Sequence, residues 1–406
     1  MSAKEHTVND AQRALFSSFT QNVAEPEWMQ RFRLDAWDRF QEVSWPSLRD
    51  EEFRRTDLTR FEYDVFEPIV TGYSPVFAIA PQNGVTVKTF RDAIVENENE
   101  LQPLLSASLA VADNRIALWH YLYVNDGIFI DIPDGLVATN PISVELSAAG
   151  EHRLATPHIF VRVGKESRAS VVVKIANSHA EKLVLNSYAH IMVEDAAKLK
   201  YVTCQSLKEG AAYFSHAEAR VARDAAIEHM DVNLGADLTK SRLICDLNGP
   251  GSEGVLNGVF FASQKQHMDI RCVQEHNSRA ASSNAVYKGA VKDNSRSIFQ
   301  GLIRVDKGAN QTDAYLTNKN LIINDGARAD SIPGLQIDTN DVKCSHGSTT
   351  GKISEDELFY LMSRGISRAQ ARHMLVMGFF EEHLQKLPEE VAVEIRESLQ
   401  ERLAGE

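Results

Sequence analysis

The sharpest local feature of this 406-residue chain is Asp341-Val-Lys-Cys344-Ser-His346-Gly347. In an extended segment residues i and i+2 point to one side, so the Cys344 sulfur and a His346 ring nitrogen face a common space. A thiolate and an imidazole are a soft pair suited to iron or zinc. Two donors do not complete a tetrahedral site, and no other Cys or His lies nearby in sequence. Any remaining ligands must come from across the fold or from a second protein. The competing reading is structural, with Cys344 a small buried hydrophobe and His346 a hydrogen-bonded loop residue.

Other constellations carry less. His267, Cys272 and His276 sit close together, but their spacing matches no zinc pattern. Cys204 and Cys245 lie in apolar strand contexts, which reads as core. A Cys–His nucleophile pair joins Cys344 to His346, or to His190 or His216 if the fold brings either near. Asp269, Asp306 and Asp313 offer carboxylates for glycoside chemistry, although nothing in their spacing separates them from solvated turn acids. Gly347-Ser-Thr-Thr-Gly351-Lys352-Ile353 imitates a phosphate-binding loop. It is one residue short between its glycines, and Ile353 stands where Ser or Thr would hold magnesium. With no Gly-x-Gly-x-x-Gly between a strand and a helix either, any ATP chemistry belongs to a partner.

Three zones position these residues. Residues 1–103 read as mainly helical, with Ala11, Ala14, Leu15 and Phe19 at helical spacing, and then Trp28, Met29, Phe32, Leu34, Ala36, Trp37 and Phe40 with Pro26 near the start;. Trp28, Trp37 and Trp45 are expected to pack. Residues 104–342 change to short β-branched runs such as Ile159–Val163 and Ser170–Ile175. Through them runs a loose repeat, an apolar residue followed four positions later by a small one: Val163…Ser167, Val193…Ala197, Val221…Ala225, Val291…Ser295, Val305…Ala309 and Ile323…Ala327. Short strands closed by such turns predict a β-solenoid, in which each coil buries its inward residues on the next, with a Greek-key sandwich as the alternative. Residues 343–406 read as a C-terminal helical domain, with clear helix signals from about 352. Ser354-Glu-Asp-Glu357 and Ser367-Arg-Ala-Gln370 are capping boxes, Gly365 suits a left-handed helix stop, and Pro388 starts a third helix.

Composition bounds the function classes. The 43 Lys+Arg against 56 Asp+Glu leave a net charge of −13, which argues against bulk binding to nucleic acid or an anionic membrane;. No apolar run reaches the length of a membrane span, and the start has no apolar signal core. Four scattered cysteines are no disulfide framework, so a soluble cytoplasmic protein of a reducing compartment is expected.

From Tyr287 onward the chain resembles the SufB/SufD family of iron–sulfur cluster assembly proteins, and SufD more than SufB. The resemblance rests on Tyr287-Lys-Gly-Ala-Val-Lys-Asp293, Gly301-Leu-Ile-Arg-Val-Asp-Lys-Gly-Ala309 with Gln311-Thr-Asp-Ala-Tyr315, Asn318-Lys-Asn-Leu321, and Asp341 through Gly347. Leu358-Phe-Tyr-Leu361, Ser363-Arg-Gly-Ile366 and Ala371 complete it. It implies a right-handed parallel β-helix flanked by helical N- and C-terminal domains. It further implies edge-on pairing with a SufB-like subunit, and docking of a SufC-like ABC ATPase on the C-terminal helices. A nascent iron–sulfur cluster would form at the SufB–SufD interface. In this family the histidine of the Cys-Ser-His-Gly motif is the residue implicated in cluster formation or iron entry, which places that role on His346 with Cys344 beside it. Whether the chain homodimerises when SufB is absent is left open by the sequence, although the exposed edges of a β-helix seek partners. The family complex has been associated with a reduced flavin, but no flavin motif is visible here. Two departures stand out: Asp338-Thr-Asn follows Pro333-Gly-Leu335-Gln-Ile337, and Gly347-Ser-Thr-Thr replaces Gly-Ala-Thr. A further sulfur-delivery cysteine of SufB type has only Cys204 as a loose counterpart. The expected function is a non-catalytic SufD-like scaffold subunit, against a purely structural SufB-binding subunit or a β-helix enzyme acting on a polysaccharide.

Overall fold

The computed structural model describes residues 8–58, 61–70, 76–77 and 84–404. Helix α1 (Asp10–Asn22) starts at Asn9, whose side chain accepts from the Gln12 amide while the Gln12 side chain returns the bond;. Helix α2 (Glu27–Glu42) follows Pro26 and buries Trp28, Met29, Phe32, Ala36 and Phe40, whereas Leu34 of the same pattern faces solvent. Next come β1 (Glu67–Pro68), β2 (Val76–Phe77) and β3 (Thr86–Thr89), then α3 (Phe90–Glu96), α4 (Glu98–Val111) and α5 (Arg115–Tyr123). Helix therefore continues past residue 103. Pro103 sits inside α4, and it hides the helix from a sequence reading because proline costs a helix one backbone bond;. The tryptophans pack as expected: Trp28 donates its ring N–H to Ile94 O at 3.1 Å, Trp37 stacks on Phe16 at 4.5 Å, and Trp45 stacks on Tyr63 at 3.5 Å.

From β4 (Asp126–Ile132) the chain alternates between two sheets. It passes through β5 (Ile142–Ser147), β6 (Arg153–Ala155), β7 (Pro157–Val163), β8 (Arg168–Ala176), β9 (Leu183–Val193) and β10 (Lys198–Gln205). Then follow β11 (Ala212–Val221), β12 (Ala226–Asn233), β13 (Leu238–Leu247), β14 (Glu253–Ala262) and β15 (His267–His276). The last five are β16 (Ser282–Val291), β17 (Arg296–Val305), β18 (Thr312–Ile322), β19 (Arg328–Ile337) and β20 (Val342–Lys352). One sheet runs β3-β4-β7-β9 and on through the odd strands to β19, and the other runs β2-β5-β8-β10 and on through the even strands to β20. Pairing along both is parallel from β7 and β8 onward, which makes a β-solenoid of about eight turns and rules out a Greek-key sandwich.

One coil advances the chain by 26 to 32 residues, the offsets of the partners Ala212↔Leu238 and Arg296↔Arg328. This explains the irregular repeat. Each coil has a turn at both ends of each sheet, so successive copies fall either a full coil apart (Val163, Val193, Val221) or half a coil apart (Val291, Val305, Ile323). The small residue closes the corner: Ser167, Ala197, Ser295 and Ala309 are all buried. Just before it the backbone turns left-handed at Glu166, Ala196 and Asp224, a costly conformation for a side chain;. Each of those amides donates to the next coil, to Asp195 O, Arg223 O and Pro250 O at 2.8–3.0 Å, so the turns form a ladder of their own.

Strand β20 carries the solenoid to Lys352, past the expected boundary at 342, and after it come α6 (Glu355–Ser363), α7 (Arg368–Leu384) and α8 (Glu389–Ala404). Ser367 and Gln370 make the full capping box, Ser354 makes its hydroxyl half, and Gly365 takes a φ of +84°. Helices α7 and α8 bury Val376, Phe380, Leu384, Val391, Ile395 and Leu399 on the outer side of the even sheet, over Val202, Cys204, Met230 and Phe261. Solenoid lysines reach carbonyls near the end of α7, Lys288 to Phe379 O and Lys200 to Lys386 O, where the helix dipole favours a cation;.

Candidate functional site

Strand β20 is the end of the even sheet and β19 the end of the odd one, so among the described residues this coil has a strand neighbour on one side alone. Its register on β18 sets Cys344 beside Ala314 and His346 beside Leu316. Ala314 and Leu316 are buried side chains of the solenoid interior, and register partners in a parallel pair point to the same face;. Cys344 and His346 therefore both project on the interior side of the terminal coil, as i, i+2 spacing predicts. Cys344 is half-buried and packs against the core, and His346 is exposed. Desolvation pushes the Cys344 thiol up, Asp313 pushes it in the same direction, and a hydrogen bond with the Ala314 backbone works against both. On the outer face Tyr315 stands beside Ser345, its hydroxyl against Gly347.

Beyond this pair, Leu335 and Ile337 on β19 stay 40% and 37% exposed, although their partners Ile303 and Val305 are fully buried interior residues. The solenoid thus ends in an uncapped apolar mouth carrying one thiol and one imidazole. Among the described residues no three His, Cys, Asp or Glu side chains converge as a metal would need.

The other sequence candidates separate. Cys272 and His276 lie in the buried interior, where His276 Nε2 and Ser283 Oγ are 2.8 Å apart, whereas His267 faces the N-terminal domain at 3.2 Å from Thr56 Oγ1. Cys245 is buried and its thiol pushed up by desolvation. Cys204 lies beneath α7 and α8, where burial lifts its thiol to about 12, so it is a poor nucleophile;. His190 and His216, on β9 and β11, are several strands away from β20. Asp269 is buried against Thr56, Lys240 and Gln300, Asp313 is exposed on the other sheet, and Asp306 sits in a turn, so no carboxylate pair forms. Gly347–Lys352 is extended strand with no loop to cradle a phosphate.

One arrangement had no sequence signal. His120 on α5, His158 on β7 and His190 on β9 form a buried chain that ends at Ser108 on α4. His120 Nδ1 donates to Asn186 O at 2.8 Å, which leaves its Nε2 to accept from His158 Nδ1 at 3.1 Å. By the same logic His158 Nε2 accepts from His190 Nδ1 at 3.0 Å, and His190 Nε2 accepts from Ser108 Oγ at 2.8 Å. A carbonyl can only accept, so it fixes every tautomer along the line. The chain stitches the N-terminal helices to the solenoid with the rings neutral.

Residues 146–379 match the family described as SUF system FeS cluster assembly, SufBD core domain. An iron–sulfur cluster assembly SufBD family protein of Mycobacterium tuberculosis is 30% identical over 364 residues, 87% of each chain. The iron–sulfur cluster assembly protein SufB of Bacillus subtilis is 26% identical over 323 residues, 79% of this chain and 70% of that one. Among the described residues no helix is long and apolar enough to cross a membrane.

Proposed function

The chain belongs to the SufBD family of iron–sulfur cluster assembly proteins, and from that premise we propose that it is a SufD-like, non-catalytic scaffold subunit. Its uncapped solenoid end pairs with a SufB-like subunit, or with a second copy of itself when SufB is absent. Its C-terminal helices dock a SufC-like ABC ATPase, which supplies the ATP hydrolysis. The nascent cluster, as cargo, is held between the two solenoids with Cys344 and His346 as this chain's ligands, His346 serving iron entry. The chain would act in the cytoplasm.

One observation carries this reading: Cys344 and His346 share the interior side of the terminal coil, where a second solenoid end would complete both the apolar contact and the donor set. A half-buried thiol with its pKa raised stays protonated and quiet until a metal displaces the proton;. The exposed α6 supports the ATPase docking, since Phe359 and Tyr360 are 73% and 57% exposed while α7 and α8 are seated on the solenoid.

The test is anaerobic co-purification with SufB- and SufC-like partners from the same source, assaying iron and acid-labile sulfide in wild type and His346→Ala. A complex that forms in both but loses iron and sulfide in the variant supports a cluster-site role. Equal iron in both makes this chain a purely structural partner, with the chemistry in SufB.

A further inference from the structure

Far from the terminal coil, a cleft of about 50 Å³ lies between the N-terminal helices and the odd sheet. That is room for about three or four waters. Its walls are mostly apolar, from Phe53, Ile116, Ala117 and Phe214. Its polar lining includes Glu52, Asn186 and Lys240 besides His216 on β11 and Arg242 on β13, and these last two are register partners and so lie side by side.

Both are under-used. His216 stacks on Tyr188 at 4.4 Å and makes no hydrogen bond among the described residues. Arg242 spends Nη1 on Glu52 at a long 3.4 Å, while its Nε has no partner and is closed to solvent, so the guanidinium must turn toward the cleft before a ligand reaches that edge. The Nε edge of a guanidinium is the side that grips a carboxylate with two parallel N–H bonds. A buried donor left unpaired is a cost that folded proteins ordinarily meet with water or a ligand. Lys240, by contrast, is committed to Glu52 O at 2.9 Å and Asp269 at 3.0 Å, with Phe53 at 4.7 Å from its ammonium.

Charge selects the ligand. Lys240 and Arg242 are balanced by Asp269 and Glu52, so the cleft holds no surplus positive charge for any anion, and a dianion is disfavoured more than a monoanion. A monoanion needs one free guanidinium edge, and the apolar walls suit a short alkyl group. The side chains of Arg242 and Glu52 keep 27% and 20% exposure, so the cleft opens to solvent.

We infer that this cleft binds a small aliphatic carboxylate, gripped by the Nε edge of Arg242 and by His216, with its alkyl end against Phe53, Ile116 and Phe214. Glu52 is then a competitor held at the far side of the same guanidinium. The site stands independently of the role proposed for Cys344 and His346.

Acetate, propionate, inorganic phosphate and chloride would each be titrated into the full chain at constant ionic strength, by calorimetry and by the ring resonances of the histidines. Saturable binding is expected for acetate, tighter for propionate, with His216 resonances moving. Arg242→Gln should weaken propionate at least tenfold, and Arg242→Lys nearly as much, because it keeps the charge but loses the fork. Glu52→Gln should tighten binding several-fold, and this arm needs no loss of the arginine, so it survives any misfolding of the Arg242 variants. Non-saturating titrations, equal effects of chloride, or unchanged affinity in all three variants would overturn the site. Phosphate binding more tightly than propionate would overturn the carboxylate assignment.

Discussion

Leu316 and His346 are register partners on adjacent strands, yet the first is fully buried and the second is exposed. They occupy the same interior column of the solenoid. What differs is that Leu316 has a further coil beyond it and His346 does not. The candidate ligand is therefore displayed by the ending of the fold, and whatever continues the stack meets it first.

The apolar rim of that mouth gives the first prediction. Leu335→Glu and Ile337→Lys place charge where a second solenoid end would have to desolvate it. Because both side chains already keep over a third of their surface in water, the isolated chain should change in stability by about 0.5 kcal/mol or less;. Association with a SufB-like partner, or with a second copy, should be lost in size-exclusion chromatography with light scattering. Association that persisted in both variants would put the pairing surface elsewhere.

Cysteine accessibility gives the second. Cys204, Cys245 and Cys272 are buried, with thiols pushed up by desolvation, whereas Cys344 keeps part of its surface in water. Native protein treated with iodoacetamide should gain one adduct by mass spectrometry, at Cys344, and three more after unfolding. The thiolate is the reactive form, and Asp313 disfavours it, so Asp313→Asn should speed the native adduct;. Two or more rapid adducts on the native chain would contradict the burial of the other three.

The contrast between these cysteines marks what sequence could deliver. Alternation alone places Cys344 and His346 on one side of a strand, and the helix start at Ser367 and helix stop at Gly365 are local chemistry that needs no tertiary knowledge. The repeat Val163…Ser167 was readable because each turn demands a small corner residue. That β20 is the last strand was not readable, since it depends on what is absent beyond it. The histidine chain was hidden for another reason: His120, His158 and His190 are 38 and 32 residues apart, and only coil stacking and the docking of α5 bring them to 3 Å.

That chain gives the third prediction. An unfolded histidine titrates near 6.5, while burial holds His120 at about 4 and His190 at about 3, with His158 also well lowered. Between those values the unfolded state binds more protons, so the stability is fully present above pH 6.5 and drains as pH falls, at about 1.4 kcal/mol per pH unit for each such group. Asp126 and Asp231 act oppositely. Burial lifts both to about 6 from 3.8, so acid favours their folded form between those values and softens the loss below pH 6. Urea midpoints should therefore fall most steeply just below pH 6.5. His158→Gln should flatten that slope while costing about 1–3 kcal/mol at pH 7.5 for the broken network. A midpoint constant from pH 7.5 to 5.5 would mean the rings are not held neutral.

The C-terminal helices give the last, because they divide one unit into a seated part and a free part. Phe380 on α7 is fully buried against the even sheet, so Phe380→Ala should cost about 3–5 kcal/mol;. The loss should appear in hydrogen exchange as faster opening of α7 and α8, with the solenoid amides little changed, since the strands keep their own ladders. Phe359 on α6 is 73% exposed, and Phe359→Ser should leave melting and exchange near wild type;. If α6 is where the ATPase docks, the same substitution should weaken SufC-like binding at least tenfold, because a large aromatic at an interface centre is the side chain whose removal costs most. The two variants separate seating from docking. Binding lost in Phe380→Ala but intact in Phe359→Ser would mean that the partner reads the seated pair α7–α8 and not the free helix.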